Sequence, residues 1–166
     1  MLCPVCRQAN FPGDDLCSNC GADLAGSDLP ATDERFEGRL LGEHLDALGV
    51  GAPVVVAPTA PVGPAIARMR ADRVDCLLVV EAGRLVGILT ERDAVLKVAG
   101  RPAGSLTVRD VMTPDPVVLR HDDTLAVAIN KMAVGGFRHI PIVDDGVPTG
   151  VVAAADLFRH LLAAAG

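Results

Sequence analysis

The chain has 166 residues, half of them apolar and 22% charged, with four Phe, no Trp and no Tyr. That composition excludes a disordered chain and specifies a globular one whose core is aliphatic. A net charge of −6 repels phosphate backbones and argues against non-specific nucleic-acid binding.

The first element is a cysteine pattern. Cys3, Cys6, Cys17 and Cys20 read C-x2-C-x10-C-x2-C. Two thiolates two residues apart grip one metal from a tight knuckle, and two knuckles complete a tetrahedron. So short a tip cannot bury a core of its own and needs a staple. The intervening "NFPGDDL" supplies Phe11 for packing and a Pro-Gly turn. Gly21 follows the last cysteine, where positive φ is wanted. Zn²⁺ suits the pattern best; two disulfides, or iron held as in rubredoxin, remain open. The stretch resembles the short zinc ribbons of many prokaryotic proteins, which usually carry glycine where Arg7 stands. The fifth cysteine, Cys76, lies in an apolar run and reads as a small core residue.

Residues 21–50 change character. "GADLAGSDLPATDE" reads as a linker. Phe36, Leu40, Leu41, His44, Leu45 and Leu48 then recur at helical spacing, with Thr32 or Asp33 to cap the helix and Gly49 to end it. His44 beside that face reads as a packed histidine rather than a ligand. Residues 47–67 carry no charge, but Pro53, Pro58, Pro61 and Pro64 would break a spanning helix repeatedly. The N-terminus shows no charged segment followed by an apolar one. The expectation is a soluble, cytoplasmic protein with no membrane contact.

The rest of the chain is a repeat. Residues 53–93 slide by 63 positions onto 116–156 without a gap: Pro53, Val54 and Val55 fall on Pro116, Val117 and Val118; Gly87 and Asp93 fall on Gly150 and Asp156. An internal period fixes the architecture before anything else does. Each copy holds a short strand after proline ("PVVV", "PVVL"), then a helix, "VGPAIARMRADRV" or "TLAVAINKMAVGG". Asp123 or Thr124 caps the second of these. Two strands joined at Gly83 or Gly146 follow, then another helix, "ERDAVLKVA" or "ADLFRHLLAAA". One βαββα copy is too small to stand alone; two packed sheet to sheet would bury a shared face. The fold class is α+β, with a zinc ribbon over 1–24, a linker and helix over 25–49, and repeats over 50–107 and 108–166.

Four stretches, "VGILTERD", "VRDVMTPDPVVL", "GGFRHIPIVDD" and "TGVVAAAD", resemble a tandem pair of CBS domains, often called a Bateman module. The resemblance covers roughly residues 50–163. It implies a regulatory, non-catalytic module that binds adenosine-containing ligands such as AMP, ADP, ATP or S-adenosylmethionine in clefts between the repeats. On that resemblance Asp93 and Asp156 are ribose ligands, Gly87 and Gly150 let a ligand approach the backbone, and Thr90 contacts phosphate or ribose. Arg138 and His139 form a basic pair at a strand start, read either as facing phosphate or as a solvated strand end. Ala153 stands where the first copy has Thr90, so the two sites have diverged.

No serine elbow and no Cys–His or Ser–His constellation supports catalysis. Two readings follow. One is a ligand sensor with a homodimeric CBS pair, its dimer contact expected through Ala65, Met69, Ala128 and Met132. The alternative is an adaptor whose ribbon contacts protein or nucleic acid while the CBS pair only dimerises. Arg7 is outnumbered by Asp14, Asp15 and Asp23, which favours a protein partner over nucleic acid.

Overall fold

A computed structural model describes residues 2–11, 14–24, 42–101 and 103–165. The chain divides into two compact units, 1–41 and 42–166. In the first, each cysteine pair makes the same knuckle. Cys3 N–H donates to Gln8 O and Arg7 N–H to Cys3 O, both at 2.9 Å; Cys17 N–H donates to Ala22 O at 2.8 Å and Gly21 N–H to Cys17 O at 2.9 Å. Cys3, Cys17 and Leu24 form the small buried cluster of this unit. Phe11 packs against none of it and is exposed, so the sulfurs, not an aromatic, centre this tip.

The second unit contains β1 (Val55–Val56), α1 (Val62–Asp72), β2 (Cys76–Glu81), β3 (Arg84–Thr90) and α2 (Glu91–Asp93), which runs on as a π-helical segment, Ala94–Val98. After β4 (Thr113–Pro114) come α3 (Leu125–Gly135), β5 (His139–Asp144), β6 (Val147–Ala153) and α4 (Ala154–Ala165). β1 pairs parallel with β2, β2 antiparallel with β3, and β3 antiparallel with β4. The second copy keeps the hairpin β5–β6 and reduces the parallel pair to one bridge, Leu119 to Ile142.

The repeat holds to the residue. Cys76 opposes Thr90 and His139 opposes Ala153; Val79 opposes Gly87 and Ile142 opposes Gly150; both hairpins slip register at the following residue. Both turn through two residues of positive φ, Ala82–Gly83 and Asp145–Gly146, the geometry that suits the twist of a two-residue hairpin. Thr124 caps α3, its hydroxyl accepting from Val127 N–H.

Leu77, Val79 and Leu89 pack beneath α1 with Val62, Ala65 and Met69. Cys76, Leu78 and Ile88 face the other way, against Val151 of β6. The first sheet is therefore covered on both sides, by its helix and by the second repeat, and Cys76 is the core residue its setting suggested. Burial pushes the Cys76 thiol up to about 12, with the Asp75 charge adding to it. Ala65, Met69, Ala128 and Met132 are at most 8% exposed. They are core residues of their own repeats, so they cannot form the dimer contact expected of them.

The segment before each repeat crosses to the other repeat. Val62 N–H donates to Leu106 O at 2.9 Å and Val108 N–H to Ala60 O at 2.8 Å. One period away, Leu125 N–H donates to Glu43 O at 2.8 Å and Leu45 N–H to Asp123 O at 3.3 Å. The lead-in to the second repeat thus clasps the first, and the lead-in to the first clasps the second. The helix expected up to Leu48 differs accordingly. Residues 32–41 lie outside the described ones; His44 is extended, and Leu45–Leu48 is one 3-10 turn ended by Gly49 at φ 59. Leu45 is buried because its turn plugs the second repeat as Val108 plugs the first. His44 is exposed and extended rather than packed on a helix, its Nδ1 3.1 Å from Asp122 O.

Candidate functional site

The four cysteine sulfurs lie within 4.8 Å of one another. Cys3 Sγ is 3.6 Å from Cys20 Sγ, and Cys6 Sγ is 3.6 Å from Cys17 Sγ. A tetrahedron of thiolates about 2.3 Å from zinc has edges of about 3.8 Å, so the donor set fits the ion. The same separations are far beyond the disulfide bond length of about 2.05 Å. Arg7 and Gly21 close the two knuckles at φ 60 and 67, the conformation that lets backbone N–H groups turn toward sulfur. The N–H groups of Cys20 and Asn19 pull the Cys17 thiol down to about 6. Cys20 has an N–H from Ala22 acting the same way, yet Cys6, burial, Cys3 and Cys17 push it up to about 12. Four thiols this close cannot all ionise unless a cation is among them.

The two βα junctions of the second unit look alike in sequence and differ in chemistry. In the first, Asp93 Oδ2 accepts from Thr90 N–H at 2.9 Å and from Thr90 Oγ1 at 2.7 Å, while Thr90 Oγ1 accepts from Asp93 N–H at 3.3 Å. Asp93 Oδ1 accepts from Thr113 Oγ1 at 3.0 Å and meets Lys97 Nζ at 2.7 Å. Lys97 also donates to Met112 O and Thr113 Oγ1. Asp93 is 7% exposed, the one buried charged side chain among the described residues. Burial raises its pKa, but Lys97 and the Thr90 hydroxyl and N–H outweigh that and hold it below the usual carboxylate value.

In the second junction Ala153 offers no hydroxyl. Asp156 Oδ2 accepts one bond, from Ala153 N–H at 3.3 Å, and Oδ1 pairs with Arg159. Asp156 is partly exposed and faces a cleft.

Gly87 and Gly150 lie within β3 and β6, not ahead of a strand. A Cβ on Gly87 would meet Met112 Sδ at 2.6 Å and Thr113 O at 3.1 Å. A Cβ on Gly150 would meet Val50 Cγ1 at 2.8 Å, with Ile142 Cδ1 at 3.4 Å. In both, the close approach is made by the clasping lead-in of the chain itself. The lead-ins differ at one decisive place: Met112 fills the first cleft, and its counterpart one period earlier is Gly49. Above Gly150 this leaves a cleft of about 260 Å³ lined by Leu45, Gly49, Val50, Ile142 and Thr149, with Asp46 and His121 at its rim. A neighbouring cleft of about 280 Å³ lies between the turn at Ala47–Leu48 and Asp156, Arg159 and His160.

Arg138 and His139 line neither cleft. His139 Nε2 lies 3.8 Å from Asp75 Oδ2, across the seam between repeats. Burial lowers its pKa, against Asp75, Asp156 and Glu91, which raise it, and with Arg138, which lowers it further. Gly150 and Asp156, paired by sequence reasoning, line two neighbouring clefts, and that reasoning missed Gly49, Val50 and Ile142. Extending the same slide four residues upstream, where Gly49 falls on Met112, would have found the difference.

No helix among the described residues is long and apolar enough to cross a membrane. The CBS-domain family model matches residues 51–100 and 108–163. The CBS domain-containing protein CBSCBSPB5 of Arabidopsis thaliana is 39% identical over 97 residues, which are 57% of this chain and 17% of that protein. The chain therefore spans about a sixth of that relative. Among solved structures, the CBS domain NE2398 superposes with a TM-score of 0.68 at 28% identity, over 72% of this chain and 98% of that one. CBSX2, solved in complex with AMP, superposes with a TM-score of 0.64 at 25% identity, over 75% of this chain and all of that one. Two clasped βαββα repeats with a diverged pair of clefts, matched over most of the chain, make this protein a member of the CBS-domain family.

Proposed function

We propose that this chain is a regulatory, non-catalytic ligand sensor that binds an adenosine-containing molecule in the cleft of its second repeat. The observation that carries the reading is the open space above Gly150, which exists because Gly49 replaces a methionine. Leu45, Val50 and Ile142 suit the faces of a purine, and the reading takes this cleft and its neighbour as one site, in which the Asp156 carboxylate of the neighbouring cleft accepts from ribose hydroxyls. The AMP complex of CBSX2 supports the ligand class. In the first repeat the reading assigns Gly87, Thr90 and Asp93 to closing the fold, because Asp93 is buried and tied to Thr90, Thr113 and Lys97, whereas Asp156 is partly exposed with one long bond and one ion pair. Titration calorimetry against AMP, ADP, ATP, S-adenosylmethionine and adenosine tests this. One binding event per chain, weakened at least tenfold in Asp156→Ala, is expected; silence across the whole panel overturns the reading.

The cysteine cluster holds zinc on this reading, through Cys3, Cys6, Cys17 and Cys20, in a reducing cytoplasm where the thiolates stay free. The ion supplies the folding energy of the tip and takes no part in ligand binding. Four thiolates around Zn²⁺ add a charge of −2 to an already acidic tip, which favours a protein partner. Anaerobically prepared protein should carry one zinc per chain; under about half an equivalent of any metal removes this part. Dimerisation falls to the apolar residues left exposed on the helices after β3 and β6, Val95, Leu96, Phe158 and Leu162. Light scattering at micromolar concentration distinguishes the homodimer from a monomer of 17.1 kDa.

A further inference from the structure

The polar lining of the second cleft narrows its ligand, given the reading above that it takes adenosine. A phosphate needs uncommitted cations or N–H groups, and the basic side chains that line the two clefts are each already matched to a carboxylate. His121 Nε2 lies 3.2 Å from Asp46 Oδ1. Arg159 is paired with Asp156. His160 Nε2 lies 3.0 Å from Glu43 Oε1, a charge contact without the alignment of a hydrogen bond. Each cationic side chain of the lining thus already faces a carboxylate. Counting histidines as neutral, the lining sets Asp46 and Asp156 against Arg159 alone.

Two backbone N–H groups beside Asp156 are committed as well. At the β6–α4 junction, Ala153 N–H is given to Asp156 Oδ2 at 3.3 Å and Ala154 N–H to Arg138 O at 2.8 Å. The hydroxyl that the first copy places here, on Thr90, is absent from Ala153. His139 stands across the seam against Asp75, with burial favouring its neutral form. A 5′-phosphate entering this cleft would have to break an ion pair and then sit among carboxylates.

We infer that the second cleft selects adenosine derivatives without phosphate: the nucleoside itself, or one whose 5′ substituent is neutral or cationic, such as a thioether. Such a ligand keeps the apolar contacts of the base and the ribose bonds to Asp156, and asks nothing of the missing hydroxyl.

The experiment is calorimetry on the full-length wild-type protein at one pH and one salt concentration, with adenosine, 5′-methylthioadenosine, AMP and ATP as probes. Adenosine and its 5′-methylthio derivative should bind at least tenfold tighter than AMP, and ATP more weakly still. Asp156→Ala, which keeps the neighbouring lining, should weaken adenosine binding ten- to a hundredfold. AMP or ATP binding as tightly as adenosine overturns the inference while leaving the adenosine cleft in place. Failure of all four probes to bind removes the cleft reading and this inference with it. Adenosine binding that survives Asp156→Ala at wild-type strength places the ligand elsewhere and overturns the inference as well.

Discussion

The two repeats share register, bulge and turn residue for residue, yet one is shut and the other open. The first is closed by five side chains: Met112 over Gly87, and Asp93 tied at once to Thr90, Thr113 and Lys97. At the same places the second has Gly49, Val50, Ala153 and His160, and a cleft. A duplicated backbone need not be bent to separate a structural copy from a receptive one; shortening two side chains and removing one latch is sufficient.

The largest test of this contrast is stability. Asp93→Ala strips partners from Thr90, Thr113 and Lys97 and should cost about 2–3 kcal/mol, in the range for hydrogen bonds to charged groups. Asp156→Ala loses one long bond and an exposed pair and should cost about 0.5–1 kcal/mol. Urea unfolding of both variants reads the difference, and equal losses would erase the contrast. The order should reverse for ligand. Asp156→Ala should weaken adenosine binding ten- to a hundredfold, about 1.5–3 kcal/mol, while Asp93→Ala leaves that affinity unchanged.

Met112→Ala attacks the contrast from the other side. It should cost about 1–2 kcal/mol of stability for a half-buried methionine and open a second cleft. A second, weaker binding event in calorimetry is the expected result; an unchanged stoichiometry would mean that Met112 is not what keeps the first cleft shut.

Acid should separate the repeats by pH window. His139 has a lowered pKa, so the folded state resists its protonation. Stability is lost as pH falls below its ordinary value of 6.5 and stops falling below its folded value. Asp93 is lowered from 3.8, so its contribution is complete above that pH and is lost only as pH falls through the folded value. The second repeat should therefore weaken first. His139→Gln should flatten the upper window and Asp93→Asn the lower one in a series of thermal melts. The smallest change is Ala153→Thr. It rebuilds the hydroxyl cap of the first copy and should add about 0.5–1 kcal/mol; no gain would show that the second junction cannot reach capping geometry.

Much of this was legible in the sequence. The period of the repeat, both hairpins, the Thr124 cap and the cysteine tetrahedron follow from spacing and residue type, because each is a local rule. The clasp was not. Its partners are Leu45 with Asp123 and Val108 with Ala60, and periodicity within a window carries no sign of who pairs across a long separation. The same blindness carried the expected helix on through His44, whose spacing is helical but whose backbone is extended. By spacing alone Ala65 and Met69 suit a docking face, because an amphipathic stripe does not say which neighbour covers it; the chain's own sheet does. Met112 against Gly49 was visible once the slide is carried upstream, but its meaning required knowing that the lead-in lies over the glycine of the strand.

The clasp also imposes an order on synthesis. His44 and Asp122 stand 78 residues apart in the chain, so the first lead-in leaves the ribosome long before the repeat it must hold. At roughly 5–20 residues per second that wait is about 4–16 s. The first repeat can collapse in the meantime, but its clasp, at Leu106–Val108, follows it by only a short stretch. For those seconds Leu45 has no partner, and the apolar floor that it will cover has not been made.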